Sequence, residues 1–181
     1  MIRAIIGTVA VLAGFAVVES SVDASTGVPG SCKASDTYVM LRPGEPLAVH
    51  AAPTPGAIVV GVLAAQDSQR QPVLSVVTLT GSRSGWARIA LNSEDYTAVD
   101  GSPARYGWIP ADMLLVDTRA DTPTLVRDNP GLLGSTLGHI ESFQTFRVLG
   151  CRGEFLHVIN AREGNVWIDR WCAREDGCRS S

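Results

Sequence analysis

From Tyr38 onward the chain alternates short apolar runs with turn residues. Leu47-Ala48-Val49-His50 meets Pro53 and Pro55-Gly56. Ile58-Val59-Val60-Gly61-Val62-Leu63 is β-branched, and a polar stretch from Gln66 to Gln71 follows it. Val73 to Thr80 is the next apolar run. Gly81-Ser82-Arg83-Ser84-Gly85 reads as a tight turn, and Trp86 to Leu91 alternates apolar with small or polar residues. A polar loop, 92–105, precedes a short strand over Tyr106 to Ile109. Further strands are expected at Thr124 to Arg127, Leu137 to Ile140, Phe143 to Leu149, Phe155 to Ile159 and Val166 to Ile168. No stretch keeps a helical period, so the pattern predicts an all-β fold.

The pattern also occurs twice. Gly107-Trp108-Ile109 closes the first set of strands and Val166-Trp167-Ile168 closes the second. Val49 aligns with Val126 at an offset of 77, Trp86 with Phe155 at 69, and Trp108 with Trp167 at 59. The first copy therefore holds extra residues before Trp86 and again between Trp86 and Trp108. Both excesses fall in polar segments, as loop insertions do. A repeat of this size implies two small units of one kind.

The N-terminus reads as a targeting signal over 1–24. Arg3 supplies the positive start, Ala4 to Val18 carries no charge, and Val22-Asp23-Ala24 offers a cleavage site before Ser25. The apolar run is too short to span a bilayer. The segment 25–37 is expected to be a mobile leader, followed by units over 38–118 and 122–178. With 15 basic and 18 acidic residues there is no basic excess, which argues against nucleic acid as a partner. The expected location is periplasmic or secreted.

Export makes the cysteines legible. Cys32, Cys151, Cys172 and Cys178 are even in number, and in an oxidising compartment they are expected to form two disulfides. Three connectivities are open. No pair has zinc-finger spacing, and neither a metal nor a cofactor is expected.

Each copy resembles a bacterial SH3-like (SH3b) domain. In the first copy the resemblance rests on Gly61-Val62-Leu63, Gly85-Trp86-Ala87-Arg88-Ile89 and Gly107-Trp108-Ile109. In the second it rests on Leu125-Val126-Arg127, Leu137-Gly138-His139-Ile140 and Val166-Trp167-Ile168. The copies depart from the family at Val49-His50-Ala51, at Glu154-Phe155 where Gly-Trp is usual, and at Val166 in place of a glycine. Trp171-Cys172 with Cys178 looks like a cysteine-bearing subset of exported members. The resemblance implies two small five-stranded barrels in tandem. It also implies a non-enzymatic role in binding cell-wall (peptidoglycan) peptides or another envelope protein. Within it, Cys151 with Cys172 is the favoured pair, and Cys172 with Cys178 closes a feasible short loop.

Candidate ligand residues are Tyr38, Trp86, Tyr106, Trp108, Trp167 and Trp171. Trp86, Trp108 and Trp167 lie in strands, where half-core packing competes with a role as an aromatic shelf. Trp171 falls in a terminal turn beside Asp169 and Arg170, which makes the case for ligand contact stronger there than at the strand tryptophans. Tyr38 and Tyr106 are candidates to share a groove, with a barrel-edge position as the alternative for each. Two other functions are weighed. One is an inhibitor or regulator docking on a secreted enzyme through the 92–105 loop. The other is a small cell-wall hydrolase using Cys151 and His157, which needs a reduced, activated thiol.

Overall fold

The computed structural model describes residues 30–65, 71–101, 104–119, 122–131 and 133–173. The expected signal peptide and Cys178 lie outside these residues. Thirteen strands form one antiparallel sheet, and no α-helix occurs among the described residues. The strands are β1 (Gly30–Leu41), β2 (Leu47–His50), β3 (Val59–Leu63), β4 (Val73–Arg83), β5 (Trp86–Ala90), β6 (Tyr96–Ala98) and β7 (Tyr106–Pro110). After a 3₁₀ turn at Ala111–Met113 come β8 (Leu114–Thr118), β9 (Thr124–Arg127), β10 (Thr136–Ile140), β11 (Gln144–Arg152), β12 (Phe155–Asn160) and β13 (Gly164–Ile168).

The order across the sheet is β10-β9-β13-β12-β11-β8-β1-β4-β5-β7-β2-β3-β6. Its centre is the β8–β1 pair, with Tyr38 opposite Leu115 and Val39 opposite Leu114. Outward from β1 run β4, β5, β7, β2 and β3. Outward from β8 run β11, β12, β13, β9 and β10.

The ladders on the two sides share their registers. Gly81 faces Arg88 and Arg83 faces Trp86, while Gly150 faces His157 and Arg152 faces Phe155. The register slips between Leu79 and Gly81 on one side, and between Val148 and Gly150 on the other. Val49 faces Gly61 as Val126 faces Gly138.

Alternation fixes which face is buried. In β5, Ala87 and Ile89 are fully buried while Trp86 and Arg88 face outward, and β12 repeats this with Leu156 and Val158 inside. The inward side chains of both sides join one hydrophobic core, with Phe146, Leu79, Ile109 and Ile168 among its largest members. At the centre even alternation stops. Thr37-Tyr38-Val39 and Val116-Asp117-Thr118 are buried in succession, so both faces of β1 and β8 are covered there.

Three segments depart from the sequence reading. The segment expected to be a leader enters β1 at Gly30, and β1 pairs with β4 from Gly30–Ser82 to Leu41–Val73. Backbone pairing holds this polar stretch, so its side chains carry little strand signal. The turn expected over Gly81 to Gly85 shrinks to Ser84-Gly85, both at positive φ, as a two-residue hairpin requires. The polar 92–105 loop holds β6, which pairs with the outer edge of β3.

The disulfide joins Cys32 to Cys151 across 119 residues, with a Cα–Cα distance of 5.7 Å. The expectation that Cys151 pairs with Cys172 is thereby overturned. The reason is tertiary: Cys32 and Gly153 form a bridge, with Lys33 N donating to Gly153 O at 2.8 Å and Gly153 N to Ser31 O at 2.9 Å. This clasp brings β1 to the end of β11. Cys172 is also disulfide-bonded, and its backbone pairs in both directions with that of Asp117, at 2.9 Å each way.

Candidate functional site

The outward face of β5, β7 and β2 gathers three of the expected ligand residues. Trp86 stands opposite Pro110, Arg88 opposite Trp108, and Ala90 opposite Tyr106. On its other side Trp108 faces His50. The His50 ring meets Trp86 edge-on at 5.2 Å, and the Arg88 guanidinium lies 5.2 Å from the Tyr106 ring centre. Arg88 is held in place by Thr80, donating from Nε to Oγ1 at 3.1 Å and from Nη2 to the carbonyl at 3.3 Å. Tyr106 is 51 % exposed, whereas Trp86 and Trp108 are half-buried. The result is a partly open aromatic face with a fixed cation.

The outward face of β12, β13 and β9 carries a related set. Trp167 stands between His157 and Arg127. The His157 and Trp167 rings stack at 4.6 Å and 14°. The Arg127 guanidinium lies 5.7 Å from the Phe155 ring centre, and its Nη1 donates to Gly134 O at 3.0 Å. Burial lowers the His157 pKa below the usual 6.5, against an opposing hydrogen bond with Asn165. The imidazole is therefore neutral at pH 7 and stacks without charge.

Both faces thus put one Trp between a His and an Arg on neighbouring strands. The two flanking residues are exchanged. Arg88 and His157 occupy corresponding positions on β5 and β12, and His50 and Arg127 on β2 and β9. Both Trp residues are legible in the sequence but the exchange is not, because the flanking residues come from strands distant in the chain.

Trp171 lies elsewhere. It lines an open cleft with Lys33, Asp36, Arg119, Glu154 and Arg170, and its Nε1 donates to Asp36 O at 3.3 Å. The cleft carries charges of both signs. Its Lys33–Glu154 pair, at 3.1 Å, is solvent-exposed and adds little stability.

Tyr38 does not join Tyr106 in a groove. It is 4 % exposed, and its hydroxyl donates to Asp117 Oδ1 at 2.9 Å. Thr145 Oγ1 donates to the same oxygen at 2.7 Å. Nor does Tyr38 take the barrel-edge position weighed for it, because the β1–β8 junction encloses it. Burial first, then the Asp117 carboxylate, pushes its pKa from 10.0 to about 12.

That shift has a sign. The unfolded tyrosine loses its proton near pH 10, and the folded one holds it to about 12. The contribution is complete below pH 10 and is lost as pH rises through 12, by roughly 2–3 kcal/mol. Denaturant midpoints between pH 9 and 12 are expected to fall less steeply for Tyr38→Phe than for the natural chain; equal slopes would refute this.

The Cys151 sulfur is taken up in the disulfide, which leaves the Cys151–His157 pair without a nucleophile. Among the described residues no three His, Cys, Asp or Glu side chains converge to hold a metal ion. The disulfide fits an oxidising compartment outside the cytoplasm, and no helix of the described residues is long and apolar enough to cross a membrane. No protein-family pattern and no curated protein matches this chain.

Proposed function

We propose that the chain is an exported, non-enzymatic binding protein built from two SH3-like barrels in tandem, and that it recognises peptides of the cell envelope. The two halves of the sheet support the tandem reading. They list their strands in the same order from the centre outward and share ladder registers at the offsets found in the sequence.

The observation that carries the binding role is the Trp held between His and Arg on both outward faces. An indole beside an imidazole ring offers a flat surface to a proline or sugar ring. A guanidinium fixed nearby offers two donors to a peptide carboxylate. Disaccharide-peptide fragments of the cell wall offer both, with sugar rings at one end and free carboxylates along the stem. Two similar faces on one chain also allow bivalent engagement of a repeating polymer.

Intrinsic tryptophan fluorescence, titrated with purified disaccharide-peptide fragments of peptidoglycan, tests this. Saturable quenching is expected. Trp108→Ala and Trp167→Ala are each expected to weaken binding by roughly 10- to 30-fold, as central aromatic anchors do. Circular dichroism serves as the control for folding. No saturable change with any fragment, or full affinity in both variants, would sink the proposal.

A further inference from the structure

We propose that the outer edge of β10 receives an extended strand from another protein, with an aromatic side chain seated over Gly138. The opposite end of the sheet carries an equivalent edge that is already covered. There β6 covers the outer edge of β3, with Tyr96 opposite Leu63, Thr97 opposite Val62 and Ala98 opposite Gly61. Hydrogen bonds from Ala64 N to Asp95 O at 3.0 Å and from Val99 N to Val60 O at 3.1 Å extend the ladder at both ends.

Gly61 makes this covering possible. A Cβ at that position would strike the Tyr96 ring and would lie 2.6 Å from Thr97 O. The missing side chain is the seat for the tyrosine. From that seat the Tyr96 hydroxyl donates to Val60 O at 3.2 Å, and the ring packs against the core.

The other half has the same edge without its cover. β9 and β10 repeat the ladder of β2 and β3: Thr124 faces Ile140 as Leu47 faces Leu63, and Val126 faces Gly138 as Val49 faces Gly61. β10 is the last strand of the sheet, and among the described residues nothing pairs with its outer edge. A Cβ at Gly138 would meet no atom within 4 Å. Gly61 is buried, whereas Gly138 is only half-buried. Leu137, which corresponds to Val60, is 62 % exposed, while Val60 packs against the core.

An open edge is a template for strand addition. The geometry of the covered edge specifies the occupant. It is antiparallel to β10 and reads aromatic, any residue, then a small residue. The aromatic residue stands opposite Ile140 and leans over Gly138, and the small residue stands opposite Gly138 itself. A second copy of this chain fits poorly. Two β10 strands paired with each other bring no Phe, Tyr or Trp to the seat, since Thr136-Leu137-Gly138-His139-Ile140 has none. The chain's own Tyr96-Thr97-Ala98 is committed to β3.

The test uses the full chain, isotope-labelled, and a synthetic capped peptide with the sequence of residues 93–100, Ser-Glu-Asp-Tyr-Thr-Ala-Val-Asp. Saturable shifts are expected at the amides of Thr136 to Ile140. Replacing the peptide's tyrosine by alanine is expected to weaken binding at least about 10-fold. Gly138→Val fills the seat, and open space around that position lets the variant fold. It is expected to abolish the shifts while leaving the thermal midpoint near that of the natural chain. Three results would overturn the proposal. One is no shift in β10 at millimolar peptide. Another is shifts confined to β3, which mean strand exchange in the first half. The third is binding that survives Gly138→Val, including self-association of the chain through β10.

Discussion

Replacing Cys32 and Cys151 together by serine is expected to destabilise the chain by about 3–5 kcal/mol. The bond closes a loop of 119 residues, so it removes a large share of the freedom of the unfolded chain. Native contacts remain beside the mutated pair. Lys33 N still reaches Gly153 O, Gly153 N still reaches Ser31 O, and Ser82 Oγ still accepts from the backbone of residue 151. The loss should therefore show as a lower denaturation midpoint with the same spectrum of the folded state. A serine pair is preferable to chemical reduction, because Cys172 is also disulfide-bonded. An unchanged midpoint would mean that the clasp at Gly153 alone suffices.

Asp117→Ala is the second large effect, expected at about 2–4 kcal/mol. The carboxylate is 4 % exposed and accepts from two hydroxyls, those of Tyr38 and Thr145. Truncation removes the acceptor that the buried Tyr38 hydroxyl shares with Thr145 at the middle of the sheet. Tyr38→Phe removes one bond without leaving an orphan and is expected to cost only about 1 kcal/mol. Equilibrium unfolding of both variants and of the double variant separates these contributions. If the double variant is no less stable than Tyr38→Phe alone, Asp117 acts only through Tyr38. A loss of under about 0.5 kcal/mol for Asp117→Ala, the level of an ordinary surface change, would refute the central role given to this carboxylate.

Most strands were legible because their side chains alternate. Trp86-Ala87-Arg88-Ile89 and Phe155-Leu156-His157-Val158 show two faces plainly, and both are strands. Leu47 to His50 and Thr124 to Arg127 have the bounds that their apolar runs suggest. The offsets of 77 and 69 also recur as ladder registers. β1 was hidden for a physical reason. Gly30 to Asp36 is polar, and its pairing with β4 and its bridge to Gly153 supply what its own side chains do not. β8 was hidden because Val116-Asp117-Thr118 is buried on both faces, which erases alternation. β6 has three residues inside a polar loop, and only the glycine opposite it betrays the contact.

The candidate site was legible by residue type and not by arrangement. The tryptophans stood out, and Trp86, Tyr106 and Trp108 do share a face. Tyr38 misled because its neighbours give no sign that both faces of its strand are covered. The His and Arg beside each Trp arrive from β2, β5, β9 and β12. No local spacing links those strands.

The β8–β1 junction has a consequence for the time course of folding. The hairpins β4–β5, β11–β12 and β12–β13 close over two or three residues each, so their loop entropy is small. The pairing of Tyr38 with Leu115 joins positions far apart in sequence, and the Cys32–Cys151 link spans farther still. The two flanks are therefore expected to form first and the middle of the sheet last. The chain's earliest described strand must wait for residues that are made much later, and until then β1 and β8 each expose an edge to the wrong neighbour.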